Sequence, residues 1–375
     1  EADELRRSMA TFKAKGMVSG FNEKLINGML ARGYTREYAE RIFKQLEGFG
    51  SYGFPESHAA SFASLVYVSS WIKFYYPDIF ACALLNSMPM GFYQPAQIVI
   101  DAQKHGVTVN PVDINHSLWD NKLEPGNGKY KSLRLGYRQV KGIREDDMNL
   151  LIENRKPFYP DINSLRDAGV PESAIEKLAD ADAFRSIGLD RRQALWEFSA
   201  KDHPIALFSG NPSISVTEKK ISLPVMSLPE HVVHDYASVS LSLKAHPVSF
   251  IREKLKLLHI VTTIDLSNRA DGDMIRVAGL VLVKQRPGTA SGVCFMTIED
   301  ETGVANLVIF QAIFEKFQKA VLQSRLIMAE GRLQREGDVT HVIVSACHDF
   351  SNMLSRLSSE PNEQEKVFPE GRSFK

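Results

Sequence analysis

The sequence predicts a multidomain α+β protein, helical through its first half and closed near its end by a small five-stranded β-barrel. Amphipathic segments on helical spacing fill residues 1–113 almost without a break. Residues 201–235 hold Pro204, Pro212, Pro224 and Pro229 among Ser, Asn and Lys, a composition that separates domains. Beyond residue 268 the pattern changes to short β-branched runs with turn residues between them. A chain of 375 residues exceeds one typical domain, and 44% hydrophobic residues are enough to bury sizeable cores.

Composition also excludes. No apolar run approaches the ~20 residues of a membrane helix, and the N-terminus lacks a signal-peptide pattern. Cys82, Cys294 and Cys347 are scattered, with no Cys-x-x-Cys spacing, which favours a reducing, cytoplasmic setting and argues against zinc. Lys and Arg total 45, equal to Asp and Glu at 45, so any contact with nucleic acid must come from local patches.

Helices are expected at 3–15, 22–32, 35–47, 58–76, 78–88 and 93–105, separated by Gly16, Gly33, a glycine loop, Pro77 and a Pro89/Gly91 turn. Gly106 is the expected C-cap of the last. A short strand follows over Tyr130–Leu135, then helices at 145–154, 161–168, 171–180 and 190–199. Val140, Gly142 and Ile143, with Lys141 inserted, resemble a helix-hairpin-helix turn, in which glycine lets backbone approach a DNA phosphate. A second hairpin would turn at Ala181-Asp182-Ala183. There Asp182 stands where a binding hairpin wants glycine, so that hairpin reads as structural. Residues 241–260 form a mixed segment in which His246-Pro247 opens a helix.

The barrel is the clearest element. Met274–Val283, Gly292–Glu299 and Gly303–Phe310 read as strands, Gln311–Leu322 as a helix, and Arg325–Leu333 and Val339–Cys347 as two more strands. Three strands, a helix and two strands is the order of an OB-fold. The expected units are therefore 1–113, helical; 114–200, tandem helix-hairpin-helix; 201–268, linker and small mixed segment; 269–350, OB-fold; and 351–375, polar tail, with 361–366 mobile and Arg372–Lys375 able to return to the body.

The loop Gly48-Phe-Gly-Ser-Tyr-Gly-Phe-Pro-Glu-Ser-His58 lies between two helical segments, and a tight loop at a helix N-terminus can cradle phosphate. With Trp71–Phe80 and Pro89–Pro95, it resembles the end of the fingers region of bacterial C-family, DnaE-type DNA polymerases. Replicative members read Gly-Phe-Asn-Lys-Ser-His. Pro55-Glu56 in place of Asn-Lys resembles the error-prone branch, ImuC. The resemblance implies the C-terminal third of an error-prone translesion polymerase that extends primers opposite damaged template in DNA-damage-induced mutagenesis. It implies catalytic aspartates and Mg²⁺ in a palm outside this chain, so that the fragment alone is inactive and binds no metal. It also implies primer-template and single-stranded DNA as ligands, with a Y-family-like companion, ImuB, linking to the sliding clamp. Pro204-Ile-Ala-Leu-Phe208 resembles a clamp-binding peptide without its leading glutamine, so direct clamp binding is expected to be weak or absent.

Ser57 is first a candidate N-cap; the resemblance adds a place for Ser57 and His58 near the incoming nucleotide. Glu56, in place of lysine, removes a positive charge there. Lys141 and Gly142 carry the hairpin contact, against the plain reading of a glycine C-cap beside a solvated lysine. Lys284, Arg286, Phe295, Arg332 and Arg335 are the candidate strand-binding face of the barrel, and the cations are expected to follow one track. Phe295 is the weak member, because a β-strand phenylalanine is more often core. Asp180-Ala-Asp182 and Asp271-Gly-Asp273 have metal-like spacing but read as a hairpin end and a turn. The alternatives are a stand-alone DNA-binding or scaffold protein built from the same modules, and a nuclease using Asp180 and Asp182.

Overall fold

The computed structural model describes residues 22–51, 56–91, 93–199, 223–288, 290, 292–337, 339–357, 367–368 and 371–374. The segments 3–15, 204–208 and 361–366 lie outside the described residues. Five helices open the described chain: α1 (Asn22–Leu30), α2 (Arg36–Ser51), α3 (Glu56–Tyr75), α4 (Pro77–Asn86) and α5 (Pro95–Lys104). Pro77 and Pro95 each stand in a first turn, where proline's missing N–H costs nothing. Helix α3 begins at Glu56, so Ser57 lies inside its first turn and is not the N-cap.

A three-stranded sheet follows, ordered β1 (Val109–Asn110), β3 (Ser132–Arg134), β2 (Lys122–Glu124). Only β3 was legible, because two- and three-residue strands carry no periodicity. A 3₁₀ turn at Tyr137–Gln139 leads into α6 (Glu145–Glu153), α7 (Ile162–Asp167), α8 (Glu172–Asp180) and α9 (Arg191–Ser199). One apolar core, from Ala81 through Leu133, Met148 and Leu178 to Ala194, joins the first helices to the hairpin region and also takes Val239 and Leu241. Packing therefore continues across residue 113.

The end of the expected linker is a helix, α10 (Leu228–Val239). Pro229 sits in its first turn, and Ser227 with Glu230 forms a reciprocal capping box. Composition misled there, because proline that breaks a helix inside it starts one at its head. A 3₁₀ turn at Pro247–Ile251 opens α11 (Arg252–Leu257), and the His246 ring accepts from the Val248 N–H.

The barrel comprises β4 (Met274–Gln285), β5 (Cys294–Glu299), β6 (Val304–Ile309), β7 (Leu326–Glu336) and β8 (Val339–Asp349). Strand order β5-β6-β8-β7-β4, closed by β4 against β5, makes the OB topology. Gly279 permits a close strand crossing: a Cβ there would stand 2.6 Å from the Glu299 carbonyl oxygen. The expected single helix breaks at Phe317 into α12 (Gln311–Lys316) and α13 (Gln318–Gln323), which place Phe314 and Val321 in the barrel core. A third core packs Val232, Val233 and Tyr236 of α10 on Ala278 and Leu280 of β4 and Leu326 and Met328 of β7. The tail returns as expected. Phe368, 1% exposed, joins that core, and β9 (Arg372–Phe374) pairs parallel to the end of β4. Arg372 donates to the Met90 carbonyl at 2.7 Å and also to that of Gly91, tying the tail to the N-terminal helices.

Candidate nucleic-acid interface

Register around the barrel assembles an outer face that the sequence only half disclosed. Phe295 of β5 lies opposite Val308 of β6, Val308 opposite Ile343 of β8, and Ile343 opposite Arg332 of β7. At ~4.8 Å per strand, this row runs roughly 14 Å from an aromatic ring to a guanidinium. Alternation places all four on the outer side, with Phe295 40% exposed and Arg332 exposed. The inner positions, Met296, Leu307, Val342 and Leu333, are buried. A second row, Thr297, Asn306, His341 and Gln334, runs beside the first. Thr297 Oγ1 donates to Asn306 Oδ1 at 3.0 Å, and the buried His341 Nδ1 has no partner among the described residues.

An exposed aromatic ring beside branched apolar side chains, flanked by amides, a hydroxyl and an arginine, can stack a base and reach its edges or its phosphate. Thr297, Asn306, Gln334 and His341 were missed in the sequence. Their even spacing from Phe295 and Arg332 was readable, but which strands neighbour one another was not.

Arg335 lies at the end of β7, opposite Thr340, exposed beside the β7–β8 turn, and its N–H donates to Asp271 Oδ1 at 2.8 Å. Arg286 sits just beyond Gln285, which pairs with Phe295. Its guanidinium is laid over the Phe314 ring, 4.3 Å from the centroid, and its Nε donates to the Gly292 carbonyl at 3.3 Å. It therefore turns toward the capping helix α12.

Lys284 is a correction. A register irregularity between Val281 and Val283 reverses the alternation, so Lys284 points inward and is 7% exposed. Its Nζ donates to the Leu322 carbonyl at 2.6 Å, satisfying the C-terminal end of α13.

Lys141 is placed in the same way. Its N–H donates to the Ser238 carbonyl and its Nζ to the Tyr236 carbonyl, each at 2.8 Å, so backbone and side chain cap the end of α10. Burial lowers its pKa. Gly142 adopts φ +69, as the hairpin requires, and its carbonyl accepts from Lys177. Helix α6 then opens with Glu145, Asp146 and Asp147, three acids where a phosphate would approach. The candidate residues thus follow no single track: Phe295 and Arg332 share the β5-β6-β8-β7 face, whereas Lys141 joins α10, which covers the β4–β7 face.

In the second hairpin, Asp182 takes the left-handed conformation, φ 59, and is 5% exposed. Burial pushes its pKa up, but Arg185 at 2.9 Å and Lys244 at 3.1 Å hold it below the usual range. Ser57 and His58 fall in the first turn of α3, and their side chains lie outside the described residues.

Residues 106–194 match a family described as "Helix-hairpin-helix motif", and residues 275–349 match one described as "OB-fold nucleic acid binding domain". These two matches put a helix-hairpin-helix motif and an OB-fold nucleic-acid-binding domain in one multidomain chain. In sequence the chain is similar to proteins named error-prone DNA polymerase. It is 51% identical over 386 residues to the error-prone DNA polymerase of Sinorhizobium medicae (strain WSM419), covering 96% of this chain and 34% of that relative. It is 48% identical over 383 residues to error-prone DNA polymerase 3 of Agrobacterium fabrum, covering 99% and 35%. The chain spans about a third of the length of the curated relatives it matches. Among solved structures, asparaginyl-tRNA synthetase from Pyrococcus horikoshii is similar over 24% of this chain and 23% of its own, with 24% identity and a TM-score of 0.22.

Proposed function

We propose that the chain is the DNA- and partner-holding part of a DNA-directed DNA polymerase that copies damaged template with low fidelity. The observation that carries this reading is its 51% identity, over 96% of its length, to a protein named for that activity. The outer barrel face supports a narrower role: Phe295 stacks on a template base, Arg332 meets the backbone, and Thr297, Asn306 and Gln334 offer neutral hydrogen bonds tolerant of any base. On this reading α3 brings Ser57 and His58 toward the incoming nucleotide, and a Y-family-like companion recruits the enzyme to the sliding clamp.

Nucleotidyl transfer by such an enzyme uses Mg²⁺ held by paired carboxylates. Among the described residues no three His, Cys, Asp or Glu side chains are grouped to hold a metal.

Fluorescence anisotropy with single-stranded and primed DNA tests the role. Single strands are expected to bind more tightly, with Phe295→Ala weakening them by about 5- to 100-fold, the loss of one stacked base. Equal affinity of the parent chain and Phe295→Ala would remove the barrel face from the reading. Continuation of the encoding frame upstream into a segment with paired aspartates separates a polymerase part from a stand-alone binding protein.

A further inference from the structure

Helix α3 presents an apolar surface on all its sides. Leu65, Val66, Tyr67 and Val68 are consecutive, and each advances ~100° around the axis, so together they point in every direction. Yet they are 61%, 59%, 72% and 51% exposed. One turn and more further on, Trp71 is 45% and Phe74 73% exposed. From Ala59 to Tyr75 the only charge is Lys73, whose Nζ is paired with Asp101 at 2.9 Å. A helix apolar around its whole circumference belongs in the interior of a large domain. No described helix is long and apolar enough to cross a membrane.

The size of the relatives says what covers it. The chain matches 34% of its Sinorhizobium medicae relative, so about two thirds of that protein has no counterpart here. We propose that α3 is an internal helix of the longer polymerase, sheathed by an apolar surface contributed by that remaining part. The inference rests on the reading of the chain as one part of such an enzyme. It adds a surface that joins the two parts: the ring of residues from Leu65 to Phe74.

Hydroxyl-radical footprinting of this chain and of the full-length polymerase from the same reading frame tests it. Oxidation of Tyr67, Trp71 and Phe74 is expected to fall at least tenfold in the longer protein, while that of Phe295 changes less than twofold. Equal oxidation in both proteins overturns the proposal. So does protection that appears in this chain alone and grows with its concentration, because a second copy is then the occupant. Tyr67→Asp is expected to lower the Tm of the full-length protein and leave that of this chain unchanged; no change in either also overturns it. A full-length protein with a protected helix but no polymerase activity would sink the functional reading and leave this one standing.

Discussion

Arg191 is 0% exposed, and every bond it makes is to a residue that sequence reading left unlinked to it. Its Nη2 meets Asp235 at 2.6 Å, its Nε donates to the Asp180 carbonyl at 2.6 Å, and its Nη1 reaches the His231 carbonyl at 3.2 Å. Burial, with Arg191 alongside, holds His231 below its usual range, so its ring accepts rather than repels. Removing one partner of such a pair leaves a buried charge uncompensated. Asp235→Ala is expected to cost about 3–5 kcal/mol in urea unfolding, and a cost below 1 kcal/mol would refute the account. Glu299 is a second buried charge with the opposite problem. Burial raises its pKa to about 7, and His246, 3.9 Å away, is pushed down to about 4 by its own burial and offers no counter-charge at neutral pH. Between an ordinary glutamate value of 4.5 and about 7, the folded state keeps a proton the unfolded chain has lost. The contribution of Glu299 is therefore full below pH 4.5 and is lost as pH rises through 7. Glu299→Gln should match the parent at pH 4.5 and exceed its stability at pH 8, by about 1–3 kcal/mol, in unfolding measured at both pH values.

At the scale of elements, helix ends absorb the lysines on which a DNA contact was expected. Lys141 reaches α10 across 95 positions of sequence, and Lys284 reaches α13 across 38. A helix C-terminus concentrates unpaired carbonyls and negative potential, so an ammonium docks there as readily as on phosphate. Lys141→Ala is expected to lower stability by about 1 kcal/mol and to change DNA affinity less than twofold. A drop in affinity together with a shallower salt dependence would return the hairpin to the DNA contact. The helices themselves were largely legible, because 3.6-residue periodicity is local. The strands of the first sheet were too short to show a period, and α10 was hidden by prolines whose role depends on their position within a helix.

The whole molecule carries no net charge, with 45 basic and 45 acidic residues, so DNA binding draws on no long-range attraction. If the barrel arginines Arg332 and Arg335 carry the backbone contacts, log Kobs for single-stranded DNA should fall against log salt with a slope of about −1 to −2, near −0.7 per phosphate. A much steeper slope would point to cations elsewhere, and a flat one would exclude the backbone contact. The sequence by itself determined the long helices, the succession of strands and helix that makes the barrel, the hairpin turn and the likeness to error-prone polymerases, because each rests on local periodicity, turn chemistry or a contiguous motif. The tertiary structure alone decided which side chains remain available. Whether a lysine meets solvent or a distant carbonyl, and whether Phe295 shares a row with Arg332, depends on register and on packing between segments far apart in the chain.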